Sequence, residues 1–231
     1  MPSAPRTLDA FNRRLVACEL CPRLRAHCTE VARVRRRAFA DQQYWGKPVP
    51  SFGDPTARIL VVGLAPGAHG SNRTGRPFTG DGSGDFLFPT LYDAGFASQP
   101  VAVSRNDGMK LSNLWINSVG RCAPPGNKPT PEELRNCAPW FDQELALLPN
   151  LRVAVCLGRI AFDGLLGWAQ RAGHISSRSA YAFAHAAEYT LPNGLHVLAS
   201  FHPSLQNTNT GKLTRPMFLA VFMRARALAE I

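Results

Sequence analysis

Long apolar segments are missing from this sequence of 231 residues. No run approaches the roughly 18 apolar residues that a membrane-spanning helix requires, and the N-terminus lacks the apolar core of a secretory signal. We therefore expect a cytoplasmic protein with no membrane partner. The composition, with 45% hydrophobic and 18% charged residues, fits a monomer with one globular domain over residues 1–231.

Acidic residues and lysine are also scarce. The chain carries 26 lysines and arginines against 16 aspartates and glutamates, a formal net charge of +10, and only four of the basic residues are lysines. This arginine-rich excess favours a polyanionic partner, because side chains that neutralise phosphates release counterions and supply sequence-independent affinity. A basic protein without such a partner is the alternative.

The most informative stretch follows the apolar run at residues 58–62. Seven glycines lie between positions 63 and 84, so the backbone there lets a ligand approach closely. A long loop inside a compact domain is usually functional, and we predict that this glycine loop is an active-site loop rather than a flexible surface loop. No lysine followed by serine or threonine closes it, which disfavours a P-loop. The side chains of this loop that could bind a ligand or take part in catalysis are His69, Asn72, Arg73, Arg76, Phe78 and Asp81.

Strand and helix signals alternate along the chain. Segments that fit strands occur at residues 58–62, 114–119, 153–157 and 197–200, and the first is mostly apolar, as central parallel strands are. The predicted helices are one capped by Thr7 or Asp9, then 24–39, 85–94, 131–148, one opened by Gly158, and 213–228; residues 171–194 fit an irregular hairpin. This alternation predicts an α/β fold, a three-layer α/β/α sandwich with a central four-stranded, mainly parallel sheet. The glycine loop, residues 122–127 and the loop at His202 all leave strands at the carboxyl edge, where we expect the site.

Six cysteines in a reducing compartment indicate ligands or core residues rather than disulfides. Cys18 and Cys21 form a C-x2-C pair, and Cys122 and Cys137 flank loops near the predicted site. Four thiolates suit a tetrahedral zinc or an iron–sulfur cluster, because soft sulfur prefers these metals. The spacing leaves that choice open. Of the other two cysteines, Cys28 is an alternative ligand, and Cys156 is a small buried residue.

Three separated motifs carry the strongest functional signal. The first is GLAPG at 63–67, continued by HGSNRTGR at 69–76 and FTGD at 78–81. The last is HPS at 202–204 with Asn207 and TGKLT at 210–214, and RCAPPGNKP at 121–129 lies between them. They closely resemble the motifs of the family 5 (type b) uracil-DNA glycosylases. The resemblance implies an α/β/α sandwich, DNA containing uracil or other deaminated bases as the partner, and a structural [4Fe–4S] cluster on Cys18, Cys21, Cys122 and Cys137.

The first motif departs from related glycosylase families, which place a carboxylate at the position of Leu64 or Ala65. Both residues are apolar here, so the nearest carboxylate in the loop is Asp81, which the resemblance also suggests is catalytic. Base excision needs a flipped nucleotide, and charge then separates between the sugar and the leaving base. Asp81 would hold a water near the sugar C1′, and His202 would donate a hydrogen bond to the base oxygen.

The remaining predicted site residues bind or position the substrate. Phe78 would stack on the flipped base, Asn127 is a catalytic positioning group, and Asn207 lies in a loop that is a candidate for inserting into the duplex. Each also has a simpler interpretation as a turn or core residue. Gly63, Ala65 and Gly67 are predicted to bind the substrate by letting it approach the backbone closely.

Base selectivity centres on the second strand. Related enzymes read uracil with an asparagine at the position of Ser118, whereas Asn117 would face the other side of the strand. The smaller residue fits a wider range that includes hypoxanthine. No lysine lies within the catalytic motifs except at their edges, so we expect a monofunctional enzyme. The alternatives are a non-catalytic iron–sulfur protein that binds or senses damaged DNA, and a zinc-stabilised hydrolase of free nucleotides.

Overall fold

The computed structural model describes residues 7–231, so the first six residues of the predicted domain lie outside the described part of the chain. The strands are β1 (Phe52–Gly53), β2 (Ile59–Gly63), β3 (Leu114–Ser118), β4 (Val153–Leu157), β5 (Glu188–Thr190) and β6 (His196–Ser200). They form one six-stranded sheet in the order β1-β3-β2-β4-β6-β5. The four inner strands are parallel, and β1 and β5 pair antiparallel at the two edges.

The predicted four-stranded sheet is therefore too small, although its four strands are present and parallel. β1 and β5 were missed because they span only two and three residues, too few to show a period-two pattern. β5 forms a hairpin with β6, which is the regular part of the irregular hairpin expected near residues 171–194. Every residue of β2, β3 and β4 is buried, as expected for central parallel strands that are covered on both faces.

Helices cover both faces of the sheet, which confirms the three-layer α/β/α sandwich. The helices are α1 (Leu8–Val16), α2 (Pro22–Val34), α3 (Ser71–Thr74), α4 (Gly82–Asp93), α5 (Pro131–Leu145), α6 (Arg159–Arg171), α7 (Leu205–Asn209) and α8 (Arg215–Leu228). On one face Ile59 and Val61 pack against α4 and α8, and on the other Leu60 and Val62 pack against α5 and α6. Short 3-10 turns occur at Arg37–Phe39 and Pro125–Asn127.

Several helix boundaries differ from the predicted ones for local reasons. Thr7 caps α1 by accepting the Ala10 N–H at 3.2 Å. α2 stops at Val34 rather than continuing to residue 39, because Arg35 adopts a left-handed φ of 57°. α4 starts three residues before the predicted position, because Asp81 and not a later residue caps it.

Within residues 7–231 no helix has the length and apolar character needed to cross a lipid bilayer.

Candidate active site

The loops that follow β2, β3 and β6 enclose a cavity of about 660 Å³ at the carboxyl edge of the sheet. The glycine loop forms one wall, and the segments around Asn127 and His202 form the others. The fold thus brings together residues that are far apart in sequence. Seven of the nine predicted catalytic and substrate-binding residues line the cavity, namely Ala65, Gly67, Phe78, Asp81, Ser118, Asn127 and His202.

Asp81 is fixed by the start of α4. Its Oδ1 accepts the backbone N–H groups of Ser83 and Gly84 at 3.1 and 3.2 Å. Its Oδ2 lies against two glycines of the cavity wall, where a Cβ would stand 2.7 Å away at Gly67 and 1.9 Å away at Gly70. Burial raises the pKa of Asp81, while the two N–H donors oppose the rise. One oxygen is therefore anchored to the helix, and the other belongs to the cavity wall.

His202 follows β6, and its ring centroid is 6.0 Å from that of Phe78, at an interplanar angle of 31°. The Asn207 side-chain amide holds the segment by donating to the His202 carbonyl at 2.9 Å. Among the described residues the ring nitrogens have no hydrogen-bond partner. Burial lowers the pKa of His202 to about 4. The imidazole is consequently neutral at pH 7 and can donate one N–H.

Phe78 forms one flat side of the cavity and is 8% exposed. Its backbone is left-handed with φ at 50°, a conformation that costs a bulky residue free energy and that clusters at functional sites. The ring sits over Gly63, where a Cβ would come within 2.9 Å of Phe78 Cζ. Gly63 therefore supports the ring from below and does not itself line the cavity.

Ser118 and its neighbour Asn117 point to opposite faces of β3, as a period of two requires. Ser118 lines the cavity. Asn117 is fully buried and donates to Glu144 at 3.0 Å. Glu144 also accepts from Trp115 at 3.3 Å and pairs with Arg121. Asn117 is therefore part of a buried polar network, and Ser118 is the residue of this strand that faces the cavity.

The two predicted asparagines lie in different places. Asn127 is exposed at the cavity rim, with a left-handed φ of 57°, which asparagine tolerates better than most residues. Asn207 does not line the cavity, because its amide is used on the His202 carbonyl. Its placement is that of a support for His202.

Two arginines of the glycine loop are buried and hold the loop together. Arg73 donates to the carbonyls of His69 and Gly80, each at 2.7 Å. Arg76 makes two hydrogen bonds to Asp107, at 2.8 and 2.7 Å. Burial raises the pKa of Asp107, but the Arg76 guanidinium and three backbone N–H donors outweigh it and hold that pKa well below its usual range. These guanidinium groups are committed to the fold.

Sequence reasoning missed Leu205 in the short helix α7. Its side chain is 58% exposed at the cavity mouth and covers Gly82. Ser204 caps α7 by accepting the Asn207 N–H, and a serine at that position was the available signal for a helix start. The prolonged polar run after Leu205 concealed the helix.

The four predicted cysteine ligands line one small cavity between α1, α2 and α5. The Asn136 side chain donates to Cys21 Sγ at 3.7 Å, and burial raises the pKa of Cys137 to about 11. In the described part of the chain no three His, Cys, Asp or Glu side chains converge closely enough to hold a metal ion. The remaining thiols do not line this cavity: Cys28 is fully buried beside Ala123 and donates to its carbonyl at 3.6 Å, and Cys156 is fully buried in β4.

A carboxylate, a neutral imidazole and an aromatic face around one cavity define an enzyme site rather than a plain binding groove. Residues 50–226 match the family model described as the uracil DNA glycosylase superfamily. The chain belongs to that superfamily.

Comparison with individual relatives shows which group of the superfamily this chain is similar to. It is 57% identical to a type-5 uracil-DNA glycosylase of Thermus thermophilus, over 96% of this chain and 99% of the relative. A type-5 uracil-DNA glycosylase of Mycobacterium bovis is 45% identical, over 96% and 81%. A type-4 uracil-DNA glycosylase of Archaeoglobus fulgidus is 36% identical over only 49% of each chain. Within the superfamily the similarity is therefore to the type-5 group, as the motifs indicate.

Proposed function

We propose that this protein excises uracil from DNA by hydrolysing the N-glycosidic bond. The observation that carries the proposal is the placement of Asp81 and His202 in one cavity beside the Phe78 ring. The names of its relatives, uracil-DNA glycosylases over nearly the whole chain, support the same reaction. The duplex hides the sugar C1′, so the target nucleotide must be rotated out of the stack into the cavity.

Asp81 serves the sugar side of the reaction. With Oδ1 saturated by two backbone donors, Oδ2 accepts a hydrogen bond from the attacking water and directs it at C1′. The negative charge also stabilises the positive charge that develops on the sugar. The backbone donors favour the ionised form and so oppose the effect of burial, which raises the pKa of Asp81.

His202 serves the base side. As the bond breaks, negative charge develops on the leaving base, and a preorganised donor at its oxygen stabilises it. The depressed pKa of His202 means that it acts as a neutral donor. A neutral imidazole can polarise a carbonyl oxygen by donating a hydrogen bond to it. Phe78 stacks on the base, and Asn127 at the rim positions the sugar or its phosphate.

Leu205 belongs to the step that precedes chemistry. It is a large apolar side chain, exposed at the cavity mouth. Apolar wedges of this kind enter the gap between bases and hold a duplex open. We assign it that role here in place of Asn207, whose amide supports His202.

The substrate range includes hypoxanthine, and the enzyme is monofunctional. A cavity of about 660 Å³ with the small Ser118 on its floor has space for a purine. No lysine of the described residues lines the cavity, and a lyase step through a Schiff base needs an amine there. The abasic site is accordingly the final product.

The four cavity-lining cysteines, Cys18, Cys21, Cys122 and Cys137, would hold a [4Fe–4S] cluster. Four thiolates suit a tetrahedral zinc or an iron–sulfur cluster, and the four cysteines line one cavity. The resemblance of the motifs to the type-5 group favours the cluster. Its contribution would be structural, because it would join the N-terminal helices to the segment that carries Asn127.

The proposal predicts base excision that depends on Asp81 and His202. A labelled duplex with one uracil opposite guanine is incubated with the parent, Asp81→Asn and His202→Ala, and then treated with alkali. We expect alkali-dependent cleavage by the parent and rates lower by about 10²-fold or more in both variants. Asp85→Asn is the matched control, because Asp85 is exposed in the same first helical turn.

Other outcomes separate the alternatives. Binding without cleavage of uracil and hypoxanthine duplexes would establish the non-catalytic damage sensor instead. Strand breaks without alkali would contradict the monofunctional assignment. Hydrolysis of free deoxyuridine phosphates in preference to DNA would favour the nucleotide hydrolase.

A further inference from the structure

Three consecutive arginines follow α2 at the side of the cavity. Arg35 turns the chain with its left-handed φ of 57° and ties the turn together by donating to the Ala40 carbonyl at 2.7 Å. Arg36 and Arg37 are exposed. The turn therefore directs two guanidinium groups to solvent from a short, closed segment.

This segment is fastened to the glycine loop at two points. The Arg73 guanidinium lies 3.9 Å above the centre of the Phe39 ring. The Arg36 N–H donates to the Tyr44 hydroxyl at 3.3 Å, and that hydroxyl is 3.1 Å from His69 Nδ1. His69 is part of the cavity wall. These two contacts to residues of the glycine loop fix the position of the exposed arginines relative to the cavity.

Nine other arginines of the described residues are ion-paired at the surface or buried in the fold. Six form ion pairs at the surface with Asp or Glu: Arg23, Arg33, Arg152, Arg171, Arg215 and Arg224. Arg73, Arg76 and Arg121 are buried in the fold. Within residues 7–231, Arg36 and Arg37 have no carboxylate partner. After burial, the charge of Arg36 is the next largest influence lowering the pKa of His69, which indicates that this charge acts at the cavity wall.

We propose that Arg36 and Arg37 bind backbone phosphates of the DNA strand that carries the flipped nucleotide. The Tyr44–His69 pair sets the distance between these phosphates and the cavity. Arginine suits this role because its planar fork matches phosphate oxygens. The inference rests on the proposed function, since it identifies how the same site receives its substrate.

The test measures phosphate contacts by salt dependence. Affinity for a uracil-containing duplex is measured between 50 and 200 mM salt in the Asp81→Asn background, which prevents cleavage, with and without Arg36→Ala and Arg37→Ala together. We expect the slope of log affinity against log salt to become shallower by about 1.8, because each phosphate contact contributes about 0.9. Affinity for an undamaged duplex should fall by a similar factor, because phosphate contacts carry no base information.

The charge-matched control is Arg152→Ala with Arg226→Ala. Both are exposed and lie at the amino edge of the sheet, beside β4 and the end of α8, on the side opposite the cavity. This pair should leave the slope unchanged. Replacing Arg36 and Arg37 by lysine should restore it, because the charge is retained. An equal change in the control pair, or an unchanged slope in the Arg36 and Arg37 pair, would overturn the proposal.

Failure of this proposal is distinguishable from failure of the proposed function. The binding slope needs no catalysis, whereas the alkali assay needs no arginine variant. If the arginine variants give a shallower slope while the parent cleaves no DNA, the phosphate contacts would be supported and only the glycosylase activity would be refuted.

Discussion

At the scale of single residues, Asp81 does two jobs that conflict. As N-cap of α4 it satisfies two backbone donors, which stabilises a helix start. As a half-buried carboxylate facing the cavity it has a raised pKa, so its ionised form destabilises the folded state relative to the unfolded chain. Active sites commonly retain such groups at a cost in stability.

Replacing Asp81 by asparagine should therefore stabilise the protein while abolishing catalysis. Asparagine caps a helix about as well as aspartate, and it carries no charge into the cavity. At pH 7 we expect a gain in unfolding free energy of roughly 0.5–2 kcal/mol, measured by urea denaturation. The gain should shrink as the pH falls through the raised pKa of the folded state, because the parent then binds the proton that relieves the charge.

Asp85→Asn, in the same turn but exposed, should show no gain. A loss of stability at pH 7 in Asp81→Asn would mean that the fold stabilises the ionised carboxylate more than water does in the unfolded chain. The test depends on whether Asp81→Asn gains more unfolding free energy than Asp85→Asn, and not on the absolute size of either change.

At the scale of elements, the glycine loop shows what sequence could and could not predict. Its position after β2 followed from the apolar run, and the carboxyl-edge rule brought it together with the loops of Asn127 and His202. Its internal contacts could not be predicted, because Arg73 and Arg76 were equally able to contact DNA or acceptor groups of the protein itself. Likewise β1, β5 and α7 are too short for a periodic signal. They form because longer neighbours offer backbone partners and packing surfaces.

The same loop predicts a steric test at Gly70. A Cβ there would lie 1.9 Å from Asp81 Oδ2, so Gly70→Ala must displace the carboxylate. Gly70 has a negative φ of −99°, so alanine introduces no left-handed strain. We expect excision to fall by about 10²-fold, as a displacement of about 1 Å commonly does, while the cooperative unfolding transition is retained.

Gly167→Ala is the matched control for this substitution. Gly167 lies within α6, where a Cβ would meet only the flexible end of Arg171, at 3.2 Å. It should keep full activity and gain up to about 1 kcal/mol from helix propensity. Full activity in Gly70→Ala would show that the position of Asp81 Oδ2 is not critical.

At the scale of the whole molecule, the N-terminal helices are the part least tied to the sheet. α1 meets α5 through the Phe11–Trp140 ring pair, whose centroids are 5.8 Å apart. α2 meets α5 through Arg23, which holds Glu133 at 2.7 and 2.8 Å. Arg23 is largely exposed, and solvent weakens such a pair. The proposed cluster would add a covalent link at this junction, because its cysteines come from both sides of it.

Removing one ligand should therefore release this junction and leave the sheet intact. In Cys137→Ser we expect lower iron and sulfide content and loss of the broad visible absorbance of protein purified without oxygen. Amide hydrogen exchange should accelerate in residues 8–34 and 121–127 and stay slow in β2 and β4, because ligands that bind only the folded state stabilise the elements they connect.

Cys28→Ala is the control, since Cys28 is buried beside Ala123 and does not line the cysteine cavity. Equal loss of iron in both variants would give Cys28 a ligand role, and a colourless parent that contains one zinc would replace the cluster by a zinc site.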